Sequence, residues 1–190
     1  MPGITSFPHV VTAAVEEFGD DDFGRLMFPK TAVVQDLLSI GYDVLFQDVD
    51  VVWLKDPYDF LLSADRRMLD AQFMYDGPNS HYAPLHVNSG FFFLRNSPHC
   101  RDFWRLVHRN YDKVCHYGSQ QRVVNMILVH RYFQGLKLDV LPEADFANGH
   151  LFTWDNVSGL PQDPYVIHCS WTSNLAHKMK KYRLAGLWYL

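Results

Sequence analysis

Asp48 and Asp50 form the most chemically pointed group in this chain. They sit between two apolar runs, Val44-Leu45-Phe46 and Val51-Val52-Trp53-Leu54, so the pair falls at the end of a buried strand. In an extended segment, positions i and i+2 face the same way. Two converging carboxylates repel unless a divalent cation or a hydrogen-bonded cationic group stands between them. A solvated turn is the ordinary fate of an isolated Asp-x-Asp, but a solvated turn rarely needs apolar support on both sides. The pair is therefore expected to bind metal. Phosphohydrolases of the haloacid dehalogenase type also use Asp-x-Asp after an apolar strand, with a Gly-Thr-like turn next. Here Val51-Val52-Trp53 follows, which disfavours that chemistry.

The elements that must position the pair alternate in type. Apolar spacing predicts a short helix over residues 8–18, ended by Gly19 and the acidic run Asp20-Asp21-Asp22, which reads as a solvated turn. An amphipathic helix is expected over 23–39, closed by Gly41. Strands are expected at 44–46, 51–54, 70–75, 90–94, 136–141 and 165–169. Helices are expected at 58–62, 99–115 and 119–132, with a basic helix at the end. The run Gly90–Leu94 reads as a strand buried on both faces. The pattern is that of one α/β domain over residues 1–190, with a mixed or parallel sheet flanked by helices.

Composition narrows the function. The 190 residues carry 48% apolar and 15% aromatic side chains, enough for one core. With 17 Lys and Arg against 21 Asp and Glu, the net charge is -4. No long basic run exists, so nucleic acid is not an expected partner. No apolar run approaches the roughly 20 residues of a membrane span, and the N-terminal sequence does not read as a signal peptide. Three cysteines, Cys100, Cys115 and Cys169, fit neither a disulfide framework nor a zinc pattern.

Five ordered motifs then converge. The stretch Gly41-Tyr42-Asp43 through Asp56-Pro57 contains the Asp-x-Asp. Lys30 lies on the preceding helix, Asn88-Ser89-Gly90 opens the apolar strand, Gln121 and Asn125 share a helix, and His168 is followed by Trp171 and Lys178. Over about residues 23–190 this resembles the nucleotide-diphospho-sugar transferase family, including plant xylosyltransferases that act on rhamnogalacturonan. The resemblance implies a GT-A, Rossmann-like fold and a metal-dependent, retaining glycosyltransferase. Its cofactor would be Mn2+ or Mg2+, its donor a nucleotide-diphospho-sugar and its acceptor a glycan or glycoprotein hydroxyl. It also implies a Golgi-lumen setting behind an upstream anchor.

By the same resemblance, Asp50 is a direct metal ligand and Asp48 holds metal, the ribose or a bound water. His168 completes the coordination, while Lys30 and Lys178 belong to the donor site, with Lys178 meeting the diphosphate. Asn88 would bind a donor sugar hydroxyl, and Gln121 would face the centre where bonds break. Two departures stand out. Gln120-Gln121 replaces the family's Asp-Gln, so the carboxylate that contacts the donor sugar is missing at Gln120. Asn174 stands where the family often has Gly, which is expected to displace the phosphate loop. GT-A domains also begin with a base-binding strand, needing roughly 40–60 residues before the Lys30 helix. About 22 precede it here, so that part is expected to be shortened or replaced. Loops 76–87 and 143–162 are the expected acceptor loops, with His81, Tyr82, His86, His150, Phe152 and Trp154 able either to stack on sugar or to pack the loops.

Overall fold

A computed structural model of the protein describes residues 21–130, 135–172 and 174–188, with side chains described from residue 29 of the first helix onward. The helix expected over 8–18 lies outside the described residues. Helix α1 runs Asp21–Ser39. Asp21 and Asp22 are therefore helical rather than in a turn, where carboxylates suit the positive end of the helix dipole. Thr31, Val34 and Leu38 recur on its buried face. Gly41 ends it with φ 101°. The Tyr42 N–H donates to the Leu37 carbonyl at 3.0 Å and the Gly41 N–H to that of Leu38 at 3.3 Å, a Schellman closure.

Two sheets follow. The larger has the order β1-β4-β3-β5, from β1 (Val44–Gln47), β3 (Ala71–Tyr75), β4 (Val87–Leu94) and β5 (Leu138–Leu141). Strand β4 is antiparallel to both β1 and β3, whereas β3 and β5 are parallel. The smaller sheet has the order β2-β7-β6, from β2 (Val51–Trp53), β6 (Phe146–Asn148) and β7 (Val166–His168). Here β2 and β7 are antiparallel, while β6 and β7 are parallel. Helices α2 (Tyr58–Leu61), α3 (Pro98–Arg109), α4 (Tyr111–Tyr117), α5 (Gln120–Val129) and α6 (Leu175–Leu184) complete a mixed α/β architecture, consistent with a GT-A-like fold.

Strand β4 is buried at all eight positions. Its alternation feeds two cores. Phe92 meets Phe46, Phe73 and Trp104 at ring separations of 5.1, 5.3 and 5.2 Å. Phe91 and Phe93 join Leu61, Met74 and Phe146 in the other. Each such side chain contributes about 1.5–3 kcal/mol by burial.

Two expectations on element limits need correction, and one strand had no sequence signal. Strand β4 begins at Val87, not at residue 90, because Val87 and Asn88 pair with Tyr75 and Met74 of β3 beyond a shift of register. The single helix over 99–115 is two, α3 and α4, separated at Asn110, whose Nδ2 donates to the Leu106 carbonyl at 2.8 Å. Asparagine competes in this way with the helical ladder. The three-residue strand β6 carries no alternation that could reveal it.

Candidate functional site

The Asp-x-Asp is the link between the sheets. Strand β1 ends at Gln47 and β2 begins at Val51. The Asp48 N–H donates to the Gly90 carbonyl at 2.7 Å, and the Asp50 carbonyl accepts from the Cys169 N–H at 3.0 Å. Val49 is exposed between them. Asp48, Asp50 and His168 bring one ligand atom each to within 4.8 Å of one another. His168 is the last residue of β7, paired with Val51 and Asn148.

Two lysines face this cluster. Lys30 Nζ, from α1, lies 2.9 Å from Asp48 Oδ1 and 4.2 Å above the Phe46 ring. Lys178 Nζ, from α6, lies 2.7 Å from Asp50 Oδ2, while His168 Nε2 is 3.3 Å from Asp50 Oδ1. Burial pushes the Asp50 carboxyl up, but the hydrogen bonds and charges of His168 and Lys178 outweigh it and hold the group well below the usual carboxylate range. Burial pulls the Lys30 ammonium down, against the opposing attraction of Asp48.

These residues fit a divalent cation. Two hard carboxylates suit Mn2+ or Mg2+, and the added imidazole favours the transition metal of the two. His168 Nδ1 is buried with no hydrogen-bond partner among the described residues. Gly90 leaves the room: a Cβ there would stand 2.2 Å from His168 Cε1, 2.7 Å from Asp48 Oδ2 and 2.9 Å from Asn88 Oδ1.

Beyond Asn88, which also borders Gly90, lies a third carboxylate that the sequence reading did not single out. Asp76 follows β3 directly and is buried. Its Oδ1 accepts from Asn88 Nδ2 at 2.6 Å and from Trp171 Nε1 at 3.3 Å. Its Oδ2 accepts from Gln121 Nε2 at 2.7 Å and faces His86 Nε2 at 3.5 Å. Asn88 Oδ1 accepts from the Gly90 N–H at 2.7 Å, and Gln121 Oε1 from the Ser89 N–H at 3.0 Å. Backbone donors on the oxygens and a carboxylate on the nitrogens leave each carboxamide one orientation. Each –NH2 has a second N–H beyond its bond to Asp76. The available signal for Asp76 was its place just past a buried strand, where ligands gather in α/β folds.

The remaining candidates separate by burial. Gln120 is buried, and neither Oε1 nor Nε2 has a hydrogen-bond partner among the described residues. Asn125 pins α5 to β4, giving to and taking from the Val87 backbone at 2.8 Å each. Asn174 caps α6, accepting from the His177 N–H at 2.9 Å. Phe152 is buried beneath the Lys181 ammonium, so it packs the core rather than offering a stacking face. His86 is buried too, with Tyr82 stacked on it at 5.4 Å. His81 is exposed, edge-on to Tyr82. His150 is held between Glu143 at 2.9 Å and Asn148 at 2.7 Å. Trp154 is exposed, stacked on His177 and covered by Lys180 at 4.1 Å. Lys181, one of the basic residues of the last helix, is buried and donates to the carbonyls of Gly149, Ser170 and Trp171 at 2.8, 3.1 and 3.4 Å.

Residues 4–182 match the profile of a family described as Nucleotide-diphospho-sugar transferase. Among similar proteins is a beta-arabinofuranosyltransferase of Arabidopsis thaliana, 28% identical over 90% of this chain and 35% of that protein. A UDP-D-xylose:L-fucose alpha-1,3-D-xylosyltransferase of Arabidopsis thaliana is 25% identical over 95% of this chain and 51% of its own length. A UDP-galactose:fucoside alpha-3-galactosyltransferase of Dictyostelium discoideum is 32% identical over 43% of this chain and 13% of its own. The chain spans about half the length of these relatives or less.

Proposed function

The chain belongs to the nucleotide-diphospho-sugar transferase family, and on that footing we propose that it moves a pentosyl residue from a UDP-sugar to a hydroxyl of a glycan or glycoprotein, with retention of configuration. The observation that carries the reading is Gly90. Its missing side chain lets His168, Asp48 and Asn88 share one wall, which joins the acidic cluster to the amide network. A charge-binding corner therefore adjoins a neutral hydrogen-bonding corner, as a sugar diphosphate requires. The pentosyl choice follows two relatives that match nearly the whole chain, an arabinofuranosyl- and a xylosyltransferase.

Asp48, Asp50 and His168 would hold the cation. A bound Mn2+ or Mg2+ would neutralise the diphosphate as a Lewis acid. Lys178 and Lys30, now paired with the aspartates, carry the charge that meets phosphate oxygens. The spare N–H groups of Asn88 and Gln121 take sugar hydroxyls or the ring oxygen. Asp76, whose oxygens already accept from three neutral donors, positions those amides rather than attacking the sugar. With its lone pairs so engaged, the sugar-facing side presents amides and not a free nucleophile. This favours front-face attack within an ion pair.

The test combines Mn2+ with UDP-xylose, UDP-arabinose and UDP-galactose, following melting temperature and UDP release. A ligand at 100 times its Kd stabilises by about 2.7 kcal/mol. Coupled stabilisation and UDP release with a pentosyl donor are expected. No shift with any donor, with or without metal, would replace the transferase by a glycan- or partner-binding domain of the same fold.

A further inference from the structure

Trp171 combines three properties that do not ordinarily occur together. It is 58% exposed. It sits at φ 56°, the one non-glycine residue with positive φ among the described residues. It is also tied down at three points: its carbonyl accepts from buried Lys181 at 3.4 Å, its Nε1 donates to buried Asp76 at 3.3 Å, and its ring meets that of His150 at 6.3 Å. A bulky residue stays in the left-handed region only where its surroundings over-determine it. Here two buried charged groups do so, and the result is an indole fixed in place with most of its surface in water. Packing alone does not account for this, since a core tryptophan would bury its ring.

We propose that Trp171 is the stacking platform for the acceptor sugar. The inference rests on the transferase reading above and adds to it the residue that receives the second substrate. The order of contacts assigns the ring to acceptor rather than donor. From the acidic cluster, Gly90 leads to Asn88, Asn88 and Gln121 lead to Asp76, and Asp76 leads to Trp171. A donor with its diphosphate at the cluster lays its sugar along Asn88 and Gln121. Trp171 then stands beyond that sugar, where the attacking hydroxyl must arrive. The C–H face of a pyranose or furanose covers an indole, and the Asp76 bond fixes the ring plane against which it is aligned. Asp76 also faces His86, which lines a cavity of about 260 Å³ with Tyr75, Pro78 and Pro84.

The experiment uses the whole chain with UDP and Mg2+, the diamagnetic ion. The probes are the methyl glycosides of L-fucose, D-xylose, L-arabinose and D-galactose, read by saturation-transfer NMR. Trp171→Phe keeps a ring and loses the Asp76 bond, whereas Trp171→Ala loses both. At least one glycoside is expected to take saturation from the wild type. Trp171→Ala should lose it, Trp171→Phe should keep it weakened, and melting shifts with UDP and metal should be unchanged in both. In turnover, Trp171→Ala should raise the acceptor KM roughly tenfold, and by more than the donor KM. Undiminished glycoside saturation in Trp171→Ala overturns the inference, as does UDP binding by wild type with no glycoside bound. A raised donor KM in its place puts the ring on the donor and overturns it as well. Absence of UDP binding by the wild type overturns the transferase reading itself.

Discussion

The carboxylates on the two sides of Gly90 are neutralised in opposite ways. Asp48 and Asp50 face ammonium groups at the ends of long side chains, Lys30 and Lys178. Asp76 accepts from two carboxamides and an indole, with the His86 ring at 3.5 Å and no lysine among its described partners. The first arrangement is exchangeable. A lysine is a hydrated point charge on a flexible stem, so a cation or a phosphate can take over its partner. The second is fixed, because each donor is itself held by backbone N–H groups, by a ring contact or by the buried Lys181. Charge exchange belongs on one side of the glycine and geometry on the other.

Asp50→Ala strikes the exchangeable side hardest. It should remove the Mn2+-dependent melting shift and lower transfer by roughly 10³-fold. An unchanged metal shift would move the cation away from this corner. Asp76→Asn keeps the shape and removes the charge that orients Asn88, Gln121 and Trp171. Turnover should fall roughly 10²-fold while the Mn2+ shift remains. Loss of both together would make the two corners one unit. Gly90→Ala intrudes on both sides, since its methyl must displace the His168 ring. Metal affinity, measured by Mn2+ titration, should weaken by roughly 10–100-fold.

Lys30→Met tests exchangeability directly. Without its counter-charge, the metal-free protein should lose about 1 kcal/mol, a fall of about 2–4 °C. Bound Mn2+ should restore most of this, so the metal-induced rise becomes larger than in wild type. An equal fall with and without metal would make Lys30 a structural prop. The smallest effect is in acid. Asp50, faced by His168 from β7, Lys178 from α6 and Lys30 from α1, is held below the usual carboxylate range. The stability it contributes to metal-free protein is complete above about pH 4 and is lost as pH falls through its folded value. Asp50→Asn should flatten the dependence of melting temperature on pH below that point, and an unaltered slope would remove the argument.

Sequence alone resolved these corners unequally. The Asp-x-Asp was legible because apolar runs flank it, and β4 because Gly90–Leu94 is unbroken by charge. The amphipathic spacing of α1 and its Gly41 stop read directly as a capped helix. Asp76 was hidden because a single acid before Gly77-Pro78 looks like any turn, and its partners lie 12, 45 and 95 residues away. The break at Asn110 depends on one side chain taking a helical carbonyl, which periodicity does not register. Lys181 read as one of a basic cluster, and only the folded chain sets its ammonium among three carbonyls. Gln120 was noted for the acid it lacks. A different acid, Asp76 from the end of β3, stands beside its neighbour Gln121.

The Asp48–Asp50 link has a mechanical side. Asp48 is hydrogen-bonded into the larger sheet through Gly90, and Asp50 into the smaller through Cys169. Val49 alone separates them. Any ion gripped by both aspartates and by His168 is therefore a bolt across the seam between sheets. Amide hydrogen exchange on β1 and on β7 should then slow in step as metal is titrated, because opening either sheet would first require the bolt to be drawn.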